Sequence, residues 1–406
     1  MGLCFPIIVI ITAFSNLFGT GGAPLFSIAR GRKDPEQAGM LLNTAFFLLS
    51  VCALVLMAVG LAFARPILVL FGASDSALIY AYPYLMIYLL GTFPSMLTTG
   101  MNPFINAQGY STTGMLSVVI GAAANLILDP VFIFIFRLGA PGAAIATIIS
   151  QFLSASFVLY FLRKKAEFKI RFLTPEEIRH CGSCAANIVS LGTAGFIMQL
   201  TNSLVSICCN SVLAVTGGDI YISVMTIISS IRQMVETPIH AMTEGSSPVI
   251  SYNYGAGNSN RVRRAYRLLL TYSVCYAMLF CLLIQLFPGV FAAIFTSNAE
   301  LLAFTKPMLR IYTLALGLFG IPIACQMTFT ALGNAKASII VAVMRKFILL
   351  LPLIYIMPHL YTADLTKAVF MAEPVADVLA VAFTGVLFFF EFRKALRAMP
   401  KSEKNN

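Results

Sequence analysis

Between positions 232 and 244, Arg232, Glu236, His240 and Glu244 recur every fourth residue. On an α-helix that spacing sets side chains along one face with slow drift. Gln233 and Thr237 lie beside them, and Pro238 frees a backbone carbonyl midway. A second acidic pair, Glu373 and Asp377, is also four residues apart and brackets Pro374. Carboxylates held this way can bind a cation or exchange a proton, and burial favours the neutral form. A purely structural reading pairs Arg232 with Glu236 and His240 with Glu244, neutralising charge locally. One arginine and a mostly neutral histidine do not balance two acids. At least one carboxylate of this ladder is therefore expected to face a water-filled cavity.

The elements that position these residues must be membrane helices. The 406-residue chain is 59% hydrophobic and only 11% charged, whereas soluble chains carry about 25% charged residues. Lipid must solvate most of it. Apolar spans are expected near 3–29, 38–63, 78–101, 113–135, 141–162, 185–213, 219–250, 265–290, 307–330, 337–357 and 368–391. Each is continuously apolar for about 20 residues without period-two alternation, which selects helices over a barrel. The expected fold class is an all-α polytopic membrane protein with eleven spans.

Charge assigns the sides. Short connections at Arg30–Lys33, Arg163–Arg179, Arg261–Arg267, Lys336 and Arg393–Lys404 hold 19 of the 27 Lys and Arg. The opposite connections hold only Arg65, Arg137, Lys306 and Lys367. The crowded side is the cytoplasmic one by the positive-inside rule. The net charge of +11 thus reflects topology, and no basic stripe interleaved with aromatics points to nucleic acid. The nine cysteines are scattered through apolar spans, which argues against a disulfide framework. Cys181-x-x-Cys184 beside His180 has metal-like spacing but no second ligand pair, so no metal is expected. No phosphate-binding glycine motif and no trio of nucleophile, base and orienter exists, which excludes ATP-driven transport within this chain and argues against an enzyme.

The chain also repeats itself. Pro24-Leu25-Phe26-Ser27 with Gly31 matches Pro248-Val249-Ile250-Ser251 with Gly255, an offset of 224. The same offset pairs Gly21 with Gly245, Phe71 with Phe295, Pro83 with Pro307, Ile87-Tyr88 with Ile311-Tyr312, and Ala107-x-Gly109 with Ala331-x-Gly333. Two parallel halves with a substrate path between them are a known transporter plan. The expected division is an N-terminal lobe over 1–162, a cytoplasmic linker over 163–183, a C-terminal lobe over 184–392 and a tail over 393–406. Thr174-Pro175-Glu176-Glu177 reads as a capping box opening a short amphipathic linker helix. Met1 pairs with Met225 in the repeat, while the span near 185–213 has no counterpart before it. A helix preceding Met1 is therefore expected, giving twelve spans and both termini inside.

Further polar residues fall within spans, where ionisable groups are functional candidates by default. Asn16 and Thr20 are the repeat partners of His240 and Glu244, and are expected opposite them across the cavity. Thr147 and Gln151 occupy nearly the offset of Glu373 and Asp377, so both halves share a polar face of which only the second is charged. Asp129-Pro130 favours a structural role, the carboxylate bracing a broken helix. Arg345, followed by Lys346, is a counter-ion or a snorkelling base.

Four stretches carry a family resemblance: Gly21-Gly22-Ala23-Pro24-Leu25-Phe26-Ser27-Ile28-Ala29-Arg30-Gly31, Asn125-x-x-Leu128-Asp129-Pro130-Val131-Phe132, Gly142-Ala143-Ala144-Ile145-Ala146-Thr147, and Pro248-Val249-Ile250-Ser251-Tyr252-Asn253-Tyr254-Gly255-Ala256. Over essentially its whole length the chain resembles the multidrug and toxic compound extrusion family, in its MepA-like bacterial branch. The resemblance implies a V-shaped pair of six-helix lobes in a bacterial cytoplasmic membrane. It also implies a monomer that exports bulky, often cationic compounds by alternating access in exchange for H⁺ or Na⁺, with no other cofactor. Many members couple through an acid in the first helix and others through one in the seventh. Here the seventh-helix stretch is Gln199, Thr201 and Asn202, without a carboxylate, which leaves Glu236, Glu244, Glu373 and Asp377 as the coupling candidates. The alternatives are a lipid-linked oligosaccharide flippase of the same superfamily, which would line its cavity with bases, and an inactive truncated fragment.

Overall fold

The computed structural model describes residues 4–70 and 75–399, and no strand occurs among them. Met1, Phe71 and the tail from Pro400, to which parts of the repeat and domain expectations refer, lie outside the described residues. In chain order the helices are α1 (Phe5–Gly31), α2 (Pro35–Leu70), α3 (Asp75–Leu90), α4 (Thr92–Ala107), α5 (Ser111–Pro130), α6 (Gly139–Lys164), α7 (Pro175–His180) and α8 (Gly182–Thr216). They continue as α9 (Asp219–Gly255), α10 (Ser259–Leu286), α11 (Pro288–Ala293), α12 (Ala299–Tyr312), α13 (Gly320–Ala331), α14 (Ala335–Val343), α15 (Leu351–Leu360) and α16 (Leu365–Arg397).

Eight spans are long and apolar enough to cross a bilayer, and the bent pairs α3/α4 and α12/α13, kinked by 53° and 45°, bring the number to ten. The remaining expected span is α9. Its 37 residues reach about 55 Å, but its polar face lowers its hydropathy. The protein is an all-helical, multi-span membrane protein.

The repeat survives as geometry. Helix starts pair at Pro35 and Ser259, Asp75 and Ala299, and Ser111 and Ala335, each 224 residues apart. After α4 and α13 the chain turns through Gly109 and Gly333 at φ +92° and +74°, a region open to glycine because it lacks Cβ. Each half also carries one wide π turn in its α5-type span, at Val131–Ile135 and Met344–Leu350.

Two compact units divide the chain, Met1–Phe196 and Ile197–Asn406. The division falls inside α8 rather than at 183, because the first half of α8 packs on α1. A Cβ on Gly192 would lie 1.8 Å from the Leu17 carbonyl oxygen, and one on Gly21 2.2 Å from that of Ile188. Phe14 and Phe196 meet edge to face at 5.0 Å. Lipid offers no hydrophobic drive between helices, so small residues that let backbones touch hold them together.

The linker is likewise part of the first unit. Ala166, Ile170 and Leu173 are buried, Gln108 exchanges two hydrogen bonds with the Phe168 backbone, and Arg30 bonds Glu167 at 2.6 Å. The capping box at Thr174 and Glu177 is formed, starting α7. Hydrogen bonds from Arg171 hold the Glu177 carboxyl down to about 2. At the far end α16 continues through Arg397, so the tail expected from 393 begins later. Phe392 and Leu396 keep the helix docked on the Tyr254, Val262 and Leu269 cluster.

The α1–α8 approach gives a direct test. Gly192→Ala should cost at least the roughly 1–3 kcal/mol typical of overpacking, lowering the thermal midpoint in detergent. Gly385→Ala, with open space around its Cβ, should leave the midpoint unchanged or raised, as alanine favours helix over glycine. Equal midpoints for the two variants would remove the close approach as the reason for the boundary.

Candidate functional site

Arg232 does not stand on an open face. It is 5% exposed, its Nε donates to Glu236 Oε1, and its Nη2 donates to Asp377 Oδ2 at 3.0 Å. Its Nη1 lies 3.1 Å from Glu373 Oε1. Arg345 approaches the same acids, with Nη2 2.7 Å from Asp377 Oδ1 and 3.3 Å from Glu373 Oε1. Lys346 Nζ reaches Glu373 Oε1 at 3.9 Å. Three carboxylates and three bases thus share one cluster in the second unit, with Arg232, Arg345, Glu373 and Asp377 buried and Glu236 and Lys346 half-buried at its edge.

Local structure explains the convergence. Four-residue spacing puts Glu373 and Asp377 on one face of α16, turned toward α9. The π turn at Met344–Leu350 carries Arg345 and Lys346, and such turns shift side chains out of helical register. The Phe319 ring lies 5.3 Å from the Arg232 guanidinium and 4.8 Å from that of Arg345, and Tyr312 lies 5.5 Å from Arg232. Aromatic faces attract both cations. The cluster is neutral.

The expected ladder therefore holds only at its first rung, and its bases belong to a larger set. Arg232, Glu373 and Asp377, expected to line a cavity, are instead buried against one another. His240 does not pair with Glu244; it meets Phe319 edge on, 6.3 Å between centroids. Glu244, Gln233 and Thr237 are exposed on α9, and Glu244 has no basic partner within ion-pair range among the described residues. In α8, Gln199 is half-buried and Asn202 exposed. Asn16 and Thr20 are half-buried in the first unit, where the Thr20 hydroxyl donates to the Asn16 carbonyl at 2.7 Å. Gln151 stands against the α3/α4 break, its Oε1 2.6 Å from where a Cβ on Gly91 would lie.

The first unit holds a different arrangement, which sequence reasoning passed over. Asn125 Nδ2 donates to Asp129 Oδ1 at 3.3 Å and lies 3.5 Å from Thr147 Oγ1. Asp129 is half-buried, and no base stands within ion-pair range of it among the described residues. The four-residue spacing of Asn125 and Asp129 was the available signal, but Thr147 joins them from the next helix. A carboxylate, an amide and a hydroxyl form an oxygen-bearing set suited to a hard cation or a proton. The amide oxygen becomes a ligand if the Asn125 side chain turns over. Among the described residues no His, Cys, Asp and Glu group is arranged for a metal ion, and Cys181 instead bonds the Ile178 carbonyl.

An all-helical, repeated, multi-span chain with a polar cluster within each unit is built as a membrane transporter. The MatE family model matches residues 1–131 and 195–356, well over half of the chain, and the protein belongs to that family. Membership places it among transporters rather than enzymes. The chain is 25% identical to the multidrug export protein MepA of Staphylococcus haemolyticus over 386 residues, 94% of this chain and 83% of that one. It is 24% identical to the MepA of Staphylococcus aureus strain MSSA476, over 89% of this chain and 79% of the other. A crystallised MATE in complex with MaD3S shares the fold with a TM-score of 0.90 at 22% identity, covering 98% of this chain and 88% of that one. The Vibrio cholerae MATE transporter VcmN superposes with a TM-score of 0.89 at 22% identity, covering 97% and 88%.

Neutrality of the six-charge cluster is open to measurement. Arg345→Met leaves buried acids short of a base and should cost about 3–5 kcal/mol, seen as a lower thermal midpoint. Adding Asp377→Asn restores neutrality and should recover most of that loss. A double variant no more stable than the single one would show that charge balance does not govern the cluster.

Proposed function

We propose that this chain is a secondary multidrug exporter of a bacterial cytoplasmic membrane, expelling bulky organic cations in exchange for H⁺ or Na⁺ by alternating access. The names of its Staphylococcus relatives, multidrug export proteins, support the substrate class. One observation carries the coupling: Asp129 is a half-buried carboxylate with an amide and a hydroxyl nearby and, among the described residues, no base within ion-pair range.

The contrast with the second unit supports the choice. A cation entering the six-charge cluster would have to displace a guanidinium from Glu373 or Asp377 and leave it buried and unpaired, at a cost of several kcal/mol. At Asp129 an entering H⁺ or Na⁺ displaces no base, only the amide hydrogen bond from Asn125, and cancels a charge that lipid penalises. Binding there can bias one conformation over another only by differing in affinity between them. Glu244, exposed beside Gln233 and Thr237 on α9, is the carboxylate placed for an organic cation. The flippase reading is disfavoured because Arg232, Arg345 and Lys346 are occupied by acids and offer little to a pyrophosphate.

The test is efflux from proteoliposomes driven separately by a pH gradient and a sodium gradient. Asp129→Asn should lower driven efflux about tenfold or more, the scale of losing a charged ligand, while drug binding persists. The gradient that loses its effect identifies the coupling ion. Efflux by Asp129→Asn at the unmutated rate under both gradients would overturn the assignment.

A further inference from the structure

Behind the charge cluster, on the other side of α16, lies a groove of about 610 Å³. Its walls include Ile311, Leu314 and Leu318 from α12 and the turn after it, and Met371, Val375 and Val378 from α16. At 100° per residue these α16 positions stand roughly half a turn from Glu373 and Asp377. Leu314 is 68% exposed and Val378 49%, so the groove is open along its side. From Met371 to Leu379 it runs about 12 Å along α16, close to the roughly 15 Å of hydrocarbon in one leaflet.

Its polar end is cationic. Arg310 lines the groove with Gln285, its Nε donating to the Gln285 carbonyl at 3.1 Å. Gln285 Nε2 returns a bond to the Arg310 carbonyl at 2.8 Å. No carboxylate lies within ion-pair range of Arg310 among the described residues. Lys306, one helical turn nearer the start of α12, is exposed on the same face. The nearest acids in sequence are accounted for elsewhere: Asp364 pairs with Lys367 at 3.1 Å, and Glu300 lies in the first turn of α12.

The geometry points to a binding site for an anionic phospholipid of the outer leaflet. The phosphodiester sits between Lys306 and Arg310, and an acyl chain fills the groove along α16. Lys306 is one of the few bases on the base-poor side of the chain, which fixes the leaflet. An arginine within a span is tolerated when it extends toward the interface and meets an anion there. Bases at the membrane surface draw acidic headgroups by the same attraction. The occupant rests on Pro374, which follows the buried Glu373 directly, so the site lies just behind the cluster. This assignment does not depend on the transport reading, because lipid binding is measured without a gradient.

The chain contains no tryptophan, so Leu314→Trp provides a single fluorescent reporter at the groove. The purified full-length variant is mixed with brominated phosphatidylglycerol or brominated phosphatidylcholine in detergent. Phosphatidylglycerol should quench at about fivefold lower mole fraction, the effect of one base on an acidic lipid. Arg310→Gln in the reporter background should abolish that preference, and Arg397→Gln, at the cytoplasmic end, should retain it. If Arg310→Gln does not yield monodisperse protein, Lys306→Gln must weaken the preference instead. Equal quenching by the two lipids, or a preference that survives substitution of the groove bases, overturns the site.

Discussion

Hydrocarbon accepts charge only where opposite charge meets it, and the second unit is organised around that rule. Arg232 on α9, Arg345 and Lys346 on the π turn before α15, and Glu373 and Asp377 on α16 come from separate stretches that close packing alone would not fix in register. Each carboxylate draws its helix toward a base, and Phe319 and Tyr312 fill the space beside the guanidinium groups. Replacing such a cluster by apolar residues is often neutral in stability, whereas breaking one member is costly. Its contribution is therefore chiefly positional: one arrangement of α9, α14–α15 and α16 satisfies all six charges. The π turn is the backbone irregularity that brings Arg345 and Lys346 into this arrangement.

In the first unit the corresponding constraint is steric. Gly19 approaches the Gly100 backbone, and Gly21 and Gly192 bring α1 against α8. Polar bonds then lock neighbours in place, as where Asn102 donates to the Gly114 carbonyl and Ser154 to that of Ser117. Phe26, stacked edge on against Phe104 and Phe168, carries the linker into the same core. Small residues and hydroxyls do here much of what ion pairs do in the second unit, and among the described residues no base lies within ion-pair range of Asp129.

Much of this was legible in the residues. Apolar composition forces helices, the offset of 224 anticipates the paired helix starts, and four-residue spacing foretells the Arg232–Glu236 contact. What lay hidden depended on distance along the chain. Arg232 and Asp377 are 145 residues apart, and no local pattern shows that an α16 carboxylate takes a guanidinium from α9. The position of the α8 boundary was hidden for a related reason, since a glycine in sequence does not show which backbone approaches it. Asp129 was read as a brace because Pro130 follows it. Its chemistry depends on Thr147 from the next helix and on the lack of a base, both of them tertiary facts.

The two units thus start from one repeat and reach opposite electrostatic solutions. In the second, the α14–α15 segment supplies bases and α16 supplies acids, so the span pair is self-neutral. In the first, α5 supplies the acid and α6 supplies the neutral Thr147, and among the described residues no base lies within ion-pair range of Asp129. A self-neutral pair resists the entry of an ion, because any newcomer must evict a partner. An uncompensated pair gains from one, because lipid penalises the bare charge. Substitution at a few positions is enough to give two copies of one helical plan different charge arrangements.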